Sequence, residues 1–118
     1  TAKRLLKSSP ETRKYLQIFK EYYLYYGLSV YQITRIRNNN SRSEEAIWLL
    51  KKAKNLCNHE NVYTPAATYD LINYHIGVSY MMKWKFRQAL KYFRKVNDSS
   101  LYHDLEKLMN ECEKELSR

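Results

Sequence analysis

Apolar positions recur at three- and four-residue steps along most of this chain, which is the spacing of helices rather than strands. Residues 1–9 are basic and weakly patterned, and Ser9-Pro10-Glu11 then reads as a helix start. Ser offers an N-cap oxygen, Pro fits the first turn, and Glu suits the positive end of the helix dipole. Tyr15, Leu16, Phe19, Tyr22, Tyr23, Tyr26, Val30 and Ile33 carry the pattern to about Arg37. Gly27 interrupts it. Glycine inside a helix costs about 1 kcal/mol against Ala, so this position predicts close packing by a neighbouring helix.

Arg37-Asn38-Asn39-Asn40 predicts a break, and Ser41 or Ser43 a new cap with Glu44 and Glu45 in the first turn behind it. Ala46, Leu49, Leu50, Ala53 and Leu56 mark the apolar face of this second helix, which ends near Asn58. His59 to Pro65 reads as a loop, and a third helix from about Ala66 carries Leu71, Tyr74, Gly77, Val78 and Met81. A tight turn near Lys83-Trp84-Lys85 leads to a fourth helix with Phe86, Ala89, Leu90, Phe93 and Val96. Asp98-Ser99-Ser100 is a strong cap, and Leu101, Leu105, Leu108, Met109, Cys112 and Leu116 share one stripe of a last helix. The chain holds two Gly and two Pro. Turns consume those residues, so their scarcity agrees with an all-α fold of long helices.

The segment Asn73–Val96 has an internal logic of its own. Ile76-Gly77, Tyr80, Ala89 and Phe93 stand at spacings that resemble the tetratricopeptide repeat. In that family, small residues such as Gly77 and Ala89 allow two antiparallel helices to cross closely, and Tyr80 and Phe93 fill the space beside them. Phe86 plugs the turn end. Three positions depart from the pattern: Asn73 replaces an aromatic, Val96 a small residue, and Leu101 lies near the place of the usual closing proline. A looser copy comes earlier, with Tyr23, Tyr26-Gly27 and Val30 for its first helix and Ala46, Leu50 and Ala53 for its second. The two glycines lie 50 residues apart, against a usual period of ~34. The first copy therefore has a longer first helix or an insertion at Asn38–Ser41.

The resemblance implies a single domain over residues 1–118: a tetratricopeptide-like stack of antiparallel helix pairs, with units at about 12–57 and 66–97 and a C-terminal capping helix at about 101–116. Within the superfamily, Tyr25-Tyr26, Ile47-Trp48-Leu49-Leu50, Ala89-Leu90-Lys91-Tyr92 and Leu105-Glu106-Lys107-Leu108 resemble the tail-anchored mitochondrial fission-adaptor family. Tyr80 one place early and the short final connection depart from it. Long units are also a mark of the peptide-sensing domain of bacterial regulators.

The first helix of each pair lines the concave face of such a stack. The resemblance thus places Leu24, Leu28, Tyr31, Tyr74, Val78, Met81 and Met82 in an apolar groove, suited to a protein or peptide partner. Tyr74 and Val78 stand where chaperone-binding members carry the Lys and Asn of a carboxylate clamp, so no such clamp is expected.

Charge adds a second surface. The net charge is +9, and residues 1–97 hold 18 Lys and Arg against 6 Asp and Glu. Lys83, Lys85, Arg87, Lys91, Arg94 and Lys95 fall along the fourth helix as a basic stripe that would suit phosphates. Nucleic acid, RNA in particular, is therefore the alternative partner. Catalysis is not expected. His59, His75 and His103 are scattered, no glycine-rich phosphate loop exists, and Glu111, Glu113 and Glu115 do not share a face. No metal or cofactor is called for. No stretch of ~18 apolar residues predicts a membrane span. Cys57 and Cys112 lack metal spacing and read as reduced, which suits a cytoplasmic location or the cytosolic face of an organelle. The opening Thr1-Ala2-Lys3-Arg4 lacks Met and reads as the start of an excised fragment.

Overall fold

The structure, a computed structural model, describes residues 10–37, 42–59 and 62–118. Ser9, Ser41, the 38–40 break and the proposed insertion lie outside them. Among the described residues the chain is all-helical: α1 (Pro10–Ile36), α2 (Ser43–Cys57), α3 (Ala66–Met82), α4 (Phe86–Phe93), a short 3-10 turn (Ser99–Leu101) and α5 (Leu105–Leu116). Each helix packs chiefly on the next, and α1 also touches α3. One buried cluster, including Val30, Ala46, Leu49, Val78, Phe93 and Cys112, draws on all five helices. A second joins α1, α2 and α3 through Leu24, Leu50, Ala53, Cys57, Ile72 and Ile76.

The two glycines mark the closest helix approaches. A Cβ on Gly27 would stand 3.0 Å from Leu50 Cδ2, and one on Gly77 would stand 2.5 Å from the Phe93 ring. Ala46, Ala53 and Ala89 are fully buried beside these crossings. Phe93 is fully buried as well, and truncating a buried aromatic of this kind to Ala costs about 3–5 kcal/mol.

α1 carries two apolar stripes. The inward one runs through Leu16, Lys20, Leu24, Gly27, Tyr31 and Thr34, all buried. Lys20 and Thr34 are tolerated because each is satisfied: Lys20 Nζ donates to the Tyr63 carbonyl at 2.9 Å, and Thr34 Oγ1 to the Val30 carbonyl at 2.9 Å. Gln17 adds two bonds to the Tyr63 backbone, so the 62–64 segment is fastened to α1. Much of the periodic set read from sequence, namely Tyr15, Phe19, Tyr22, Tyr26 and Ile33, lies instead on the outer stripe.

Several helix ends differ from expectation. Ser43 is the first residue of α2, not its cap, and its buried hydroxyl finds no partner among the described residues. Arg42 stands at the cap position, and its guanidinium grips Glu45 at 2.9 and 3.1 Å. The 83–85 turn forms as expected, with Trp84 at φ 61°. That left-handed conformation costs a non-glycine residue about 1–2 kcal/mol, and three backbone bonds to Tyr80 and Met81 hold it there.

α4 ends at Phe93 rather than Val96, and α5 begins at Leu105 rather than Leu101. Asp98 does cap, accepting the Ser100 N–H at 3.0 Å, but what it caps is the 3-10 turn. Buried Asp70 of α3 accepts the backbone N–H groups of Asn97 and Asp98 at 2.9 and 3.0 Å. That clamp fixes the chain after α4 and leaves Leu101 exposed.

Gly77→Ala is expected to lower stability by about 1–2 kcal/mol, as overpacking against the buried Phe93 outweighs the gain in helix propensity. Gly27→Ala meets Leu50 Cδ2 and Cγ at 3.0 Å and Leu49 Cβ at 3.2 Å, a looser approach than at Gly77, and is expected to stay within about 1 kcal/mol of wild type. Urea titrations of the two variants check this, and equal losses would contradict it.

Candidate functional site

Three surfaces bear on function: the inner face of α1 and α3, the basic residues of α2 and α4, and the outer stripe of α1.

The inner face is partly filled by the chain itself. Leu24, Tyr31 and Val78 are buried members of the core. Leu28, Tyr74, Met81 and Met82 are half-buried and pack against it. The Tyr74 hydroxyl donates to both oxygens of Asp104, at 2.8 and 3.0 Å, and its ring stacks on Tyr102 at 4.4 Å. The Asp104 carboxylate is thereby engaged, and no side-chain cap bond forms at the start of α5. Burial first, then this bond and the Asp104 charge, push the Tyr74 phenol well above its ordinary range. His75 meets Tyr31 edge-on at 4.6 Å and Tyr74 at 5.1 Å. Its Nδ1 lies 2.7 Å from the Leu71 carbonyl, so Nδ1 carries the proton and donates. Burial holds the imidazole below its ordinary value. Of the seven residues assigned to the groove, Leu24, Tyr31 and Val78 thus belong to the core and Tyr74 is engaged with Tyr102 and Asp104, while Leu28, Met81 and Met82 stay half-buried and Met81 lines a cavity with Trp84 and Phe86.

The basic residues divide. Lys83 pairs with Glu44, and Arg94 Nη2 lies 3.5 Å from Glu113. Lys85 and Arg87 are exposed. Lys91 and Lys95 join two lysines that sequence reading did not assign, Lys51 and Lys54 of α2, around the ring of Tyr92. Lys54 Nζ donates to Asn73 Oδ1 at 2.8 Å, and Lys51 Nζ to the Tyr80 hydroxyl at 2.6 Å. Asn73 is one of the departures from the repeat pattern, and that departure was the available signal for this cluster.

The outer stripe of α1 is open. Tyr15, Phe19, Tyr22, Tyr26, Ile33 and Ile36 are between 38% and 80% exposed. Their spacing alternates four and three residues except at Ser29, as in a helix that pairs with another helix. Tyr22 meets Tyr26 edge-on at 5.8 Å, and Trp48 of α2 continues the aromatic surface through Tyr23 at 6.2 Å.

Among the described residues no group of three His, Cys, Asp or Glu side chains could hold a metal, and no helix is long and apolar enough to cross a membrane. Cys57 and Cys112 are free and buried. Burial raises both thiols, that of Cys112 to about 11 with Glu111 and Glu113 adding to the effect. Comparison with protein-family models, with curated proteins and with solved structures gives no match for this chain.

His75 gives a pH prediction. Its folded value lies below the unfolded one, so the unfolded chain takes up a proton first as pH falls through about 6.5. Stability is therefore expected to drop between neutral pH and pH 5. His75→Phe, which keeps the ring contacts, should flatten that part of the profile. Thermal melts across this range check it, and an unchanged slope in the variant would contradict it.

Proposed function

We propose that this chain is a non-catalytic protein-recognition module, an adaptor or scaffold piece built on a tetratricopeptide-like stack of helix pairs. Three features support the stacked-pair reading. Three residues link α3 to α4, and so short a connection turns neighbouring helices back on each other. Gly77 and Ala89 lie at the α3–α4 contact, where the repeat pattern wants small residues. α1 touches α3, as the first helices of successive units would.

The observation that carries the functional reading is the outer stripe of α1. Six large apolar side chains stand in solvent over a helix of 27 residues, about 40 Å long. Contiguous exposed apolar surface on that scale marks an interaction site. Aromatic anchors at alternating four- and three-residue steps fit the apolar face of an amphipathic helix, which would lie alongside α1 and interdigitate with it. The basic body of the chain favours a partner helix with acidic flanks. Recognition is thus moved from the inner groove, where Tyr31, Tyr74 and Val78 serve the core, to the opposite side of α1. Nucleic-acid binding along the fourth helix has less support, because Lys83 and Arg94 are engaged with Glu44 and Glu113.

The test sets two double variants of verified helicity beside wild type in a capture experiment that identifies bound protein and nucleic acid together. Tyr22→Glu with Ile33→Glu alters the outer stripe, and Tyr74→Ala with Met81→Glu the inner face. A protein partner held by wild type and the inner-face variant is expected to be lost, about 30-fold or more in affinity, from the stripe variant. Loss from the inner-face variant alone, or recovery of nucleic acid as the main bound species, would overturn the reading.

A further inference from the structure

Independently of the docking stripe, we propose that Lys51, Lys54, Lys91 and Lys95 form a binding site for a compact, multiply charged phosphate group of the pyrophosphate kind, with the Tyr92 ring as its floor. The four ammoniums lie 5.7, 4.9, 5.9 and 4.9 Å from the centroid of that one ring. Like charges gathered this closely repel, and the negative face of a tyrosine ring offsets only part of the repulsion. The ion pairs of the described residues engage other cations, namely Arg42, Lys83, Arg94 and Arg118. The cluster is therefore short of negative charge.

It is also held in shape in advance. Asn73, buried on α3, accepts from Lys54 at 2.8 Å, and the Tyr80 hydroxyl accepts from Lys51 at 2.6 Å. Tyr80 stacks on Tyr92 at 5.8 Å with the rings 26° apart, which fixes the floor. Lysines tethered before the ligand arrives lose less freedom when it binds. A surface cluster that served only solubility would have no use for a buried asparagine aimed at one of its ammoniums.

The compactness decides between ligand classes. A nucleic-acid strand needs a track of cations along its backbone; on α4 and its ends Lys83 and Arg94 are paired with acids and Lys85 and Arg87 are exposed, whereas the four lysines converge on a single ring. Four point charges about one ring suit adjoining phosphates instead. These phosphates can be free in solution or carried on a lipid headgroup, and the chemistry of recognition is the same.

Lys54 supplies a signature. Burial, and then Lys95, Lys91 and Lys51, bring its ammonium down to about 8. Among the described residues the groups facing it are cationic or neutral: Lys51 on its own helix, Asn73 on α3, and Lys91, Tyr92 and Lys95 from α4 and its end. A bound phosphate reverses that field and favours the protonated form. Binding is therefore complete below about pH 8, is accompanied by proton uptake near it, and weakens above it. Pyrophosphate also changes its own protonation over this range, so the signature is the part of the pH dependence and of the buffer-dependent heat that Lys54→Gln removes.

The experiment is calorimetric titration of the whole chain with pyrophosphate at pH 7 and pH 9, in buffers of different ionisation enthalpy. Saturable binding is expected, weaker at pH 9 and with buffer-dependent heat near pH 8. Lys54→Gln with Lys95→Gln should weaken it about tenfold or more, whereas Lys107→Gln with Lys114→Gln, which removes the same charge from α5, should leave it unchanged. Circular dichroism confirms folding of each variant. Should the double variant unfold, Lys95→Gln alone at the exposed edge is the substitute, and it too must weaken binding. A second arm uses phosphatidylcholine vesicles with and without phosphatidylinositol bisphosphate. Vesicle binding lost with the same lysines assigns the phosphates to a lipid, and free pyrophosphate binding alone assigns them to a soluble compound. Failure to saturate, equal weakening by the α5 control, or single-stranded RNA binding that outcompetes pyrophosphate and survives loss of the four-lysine site would overturn the proposal.

Discussion

The contact between Phe93 and the backbone of α3 at Gly77 is the constraint on which the rest of this molecule depends. The ring fills the space a side chain at position 77 would take, at 2.5 Å from where its Cβ would stand. That approach draws α4 close to α3, and with Ala89 it sets the direction in which α4 leaves the 83–85 turn. The position of α4 in turn brings Tyr92 against Tyr80, and so brings Lys91 and Lys95 to the lysines of α2. Cys112 of α5 joins the same buried cluster as Phe93. The looser contact of Gly27 with Leu50, at 3.0 Å from where a Cβ would stand, plays the same part between α1 and α2.

The devices around this contact are polar and join residues distant in the chain. Asp70 gathers the chain after α4 by two backbone N–H groups, and Tyr74 holds Asp104 before α5. Asp70 is a buried acceptor matched to two donors, which is how a small core tolerates polar groups, and Asp104 is an exposed acceptor that satisfies the hydroxyl of half-buried Tyr74. Between them they fix the last helix, whose own contact is chiefly with α4.

The sequence was informative where side-chain pattern and local chemistry agreed. The helices, the 83–85 turn and the small residues at Gly27, Gly77 and Ala89 could be read in this way. It misled where polar residues lay inside. Lys20 and Thr34 disguised the inward stripe of α1, while the more obvious aromatic stripe through Tyr15, Phe19 and Tyr22 faces solvent. The start of α5 was misplaced because Asp98 caps a 3-10 turn, a choice set by Asp70 from 27 residues away in the chain. The lysine cluster was half legible. Lys91 and Lys95 are neighbours on one helical face, but Lys51 and Lys54 reach them only through packing across α3. The tyrosines of the expected groove were assigned by position in the repeat, and position could not reveal that Tyr102 and Asp104 would come back to cover Tyr74.

The most direct measurement is a double-mutant cycle on the central contact, with unfolding free energies of wild type, Gly77→Ala, Phe93→Leu and the pair. If the Phe93 ring is what excludes a side chain at position 77, Gly77→Ala must cost less once the ring is removed. The expected coupling is about 1 kcal/mol or more, with the sign of mutual relief. An equal cost of Gly77→Ala in both backgrounds would contradict the account, since the position of α4 would then rest on something other than this contact.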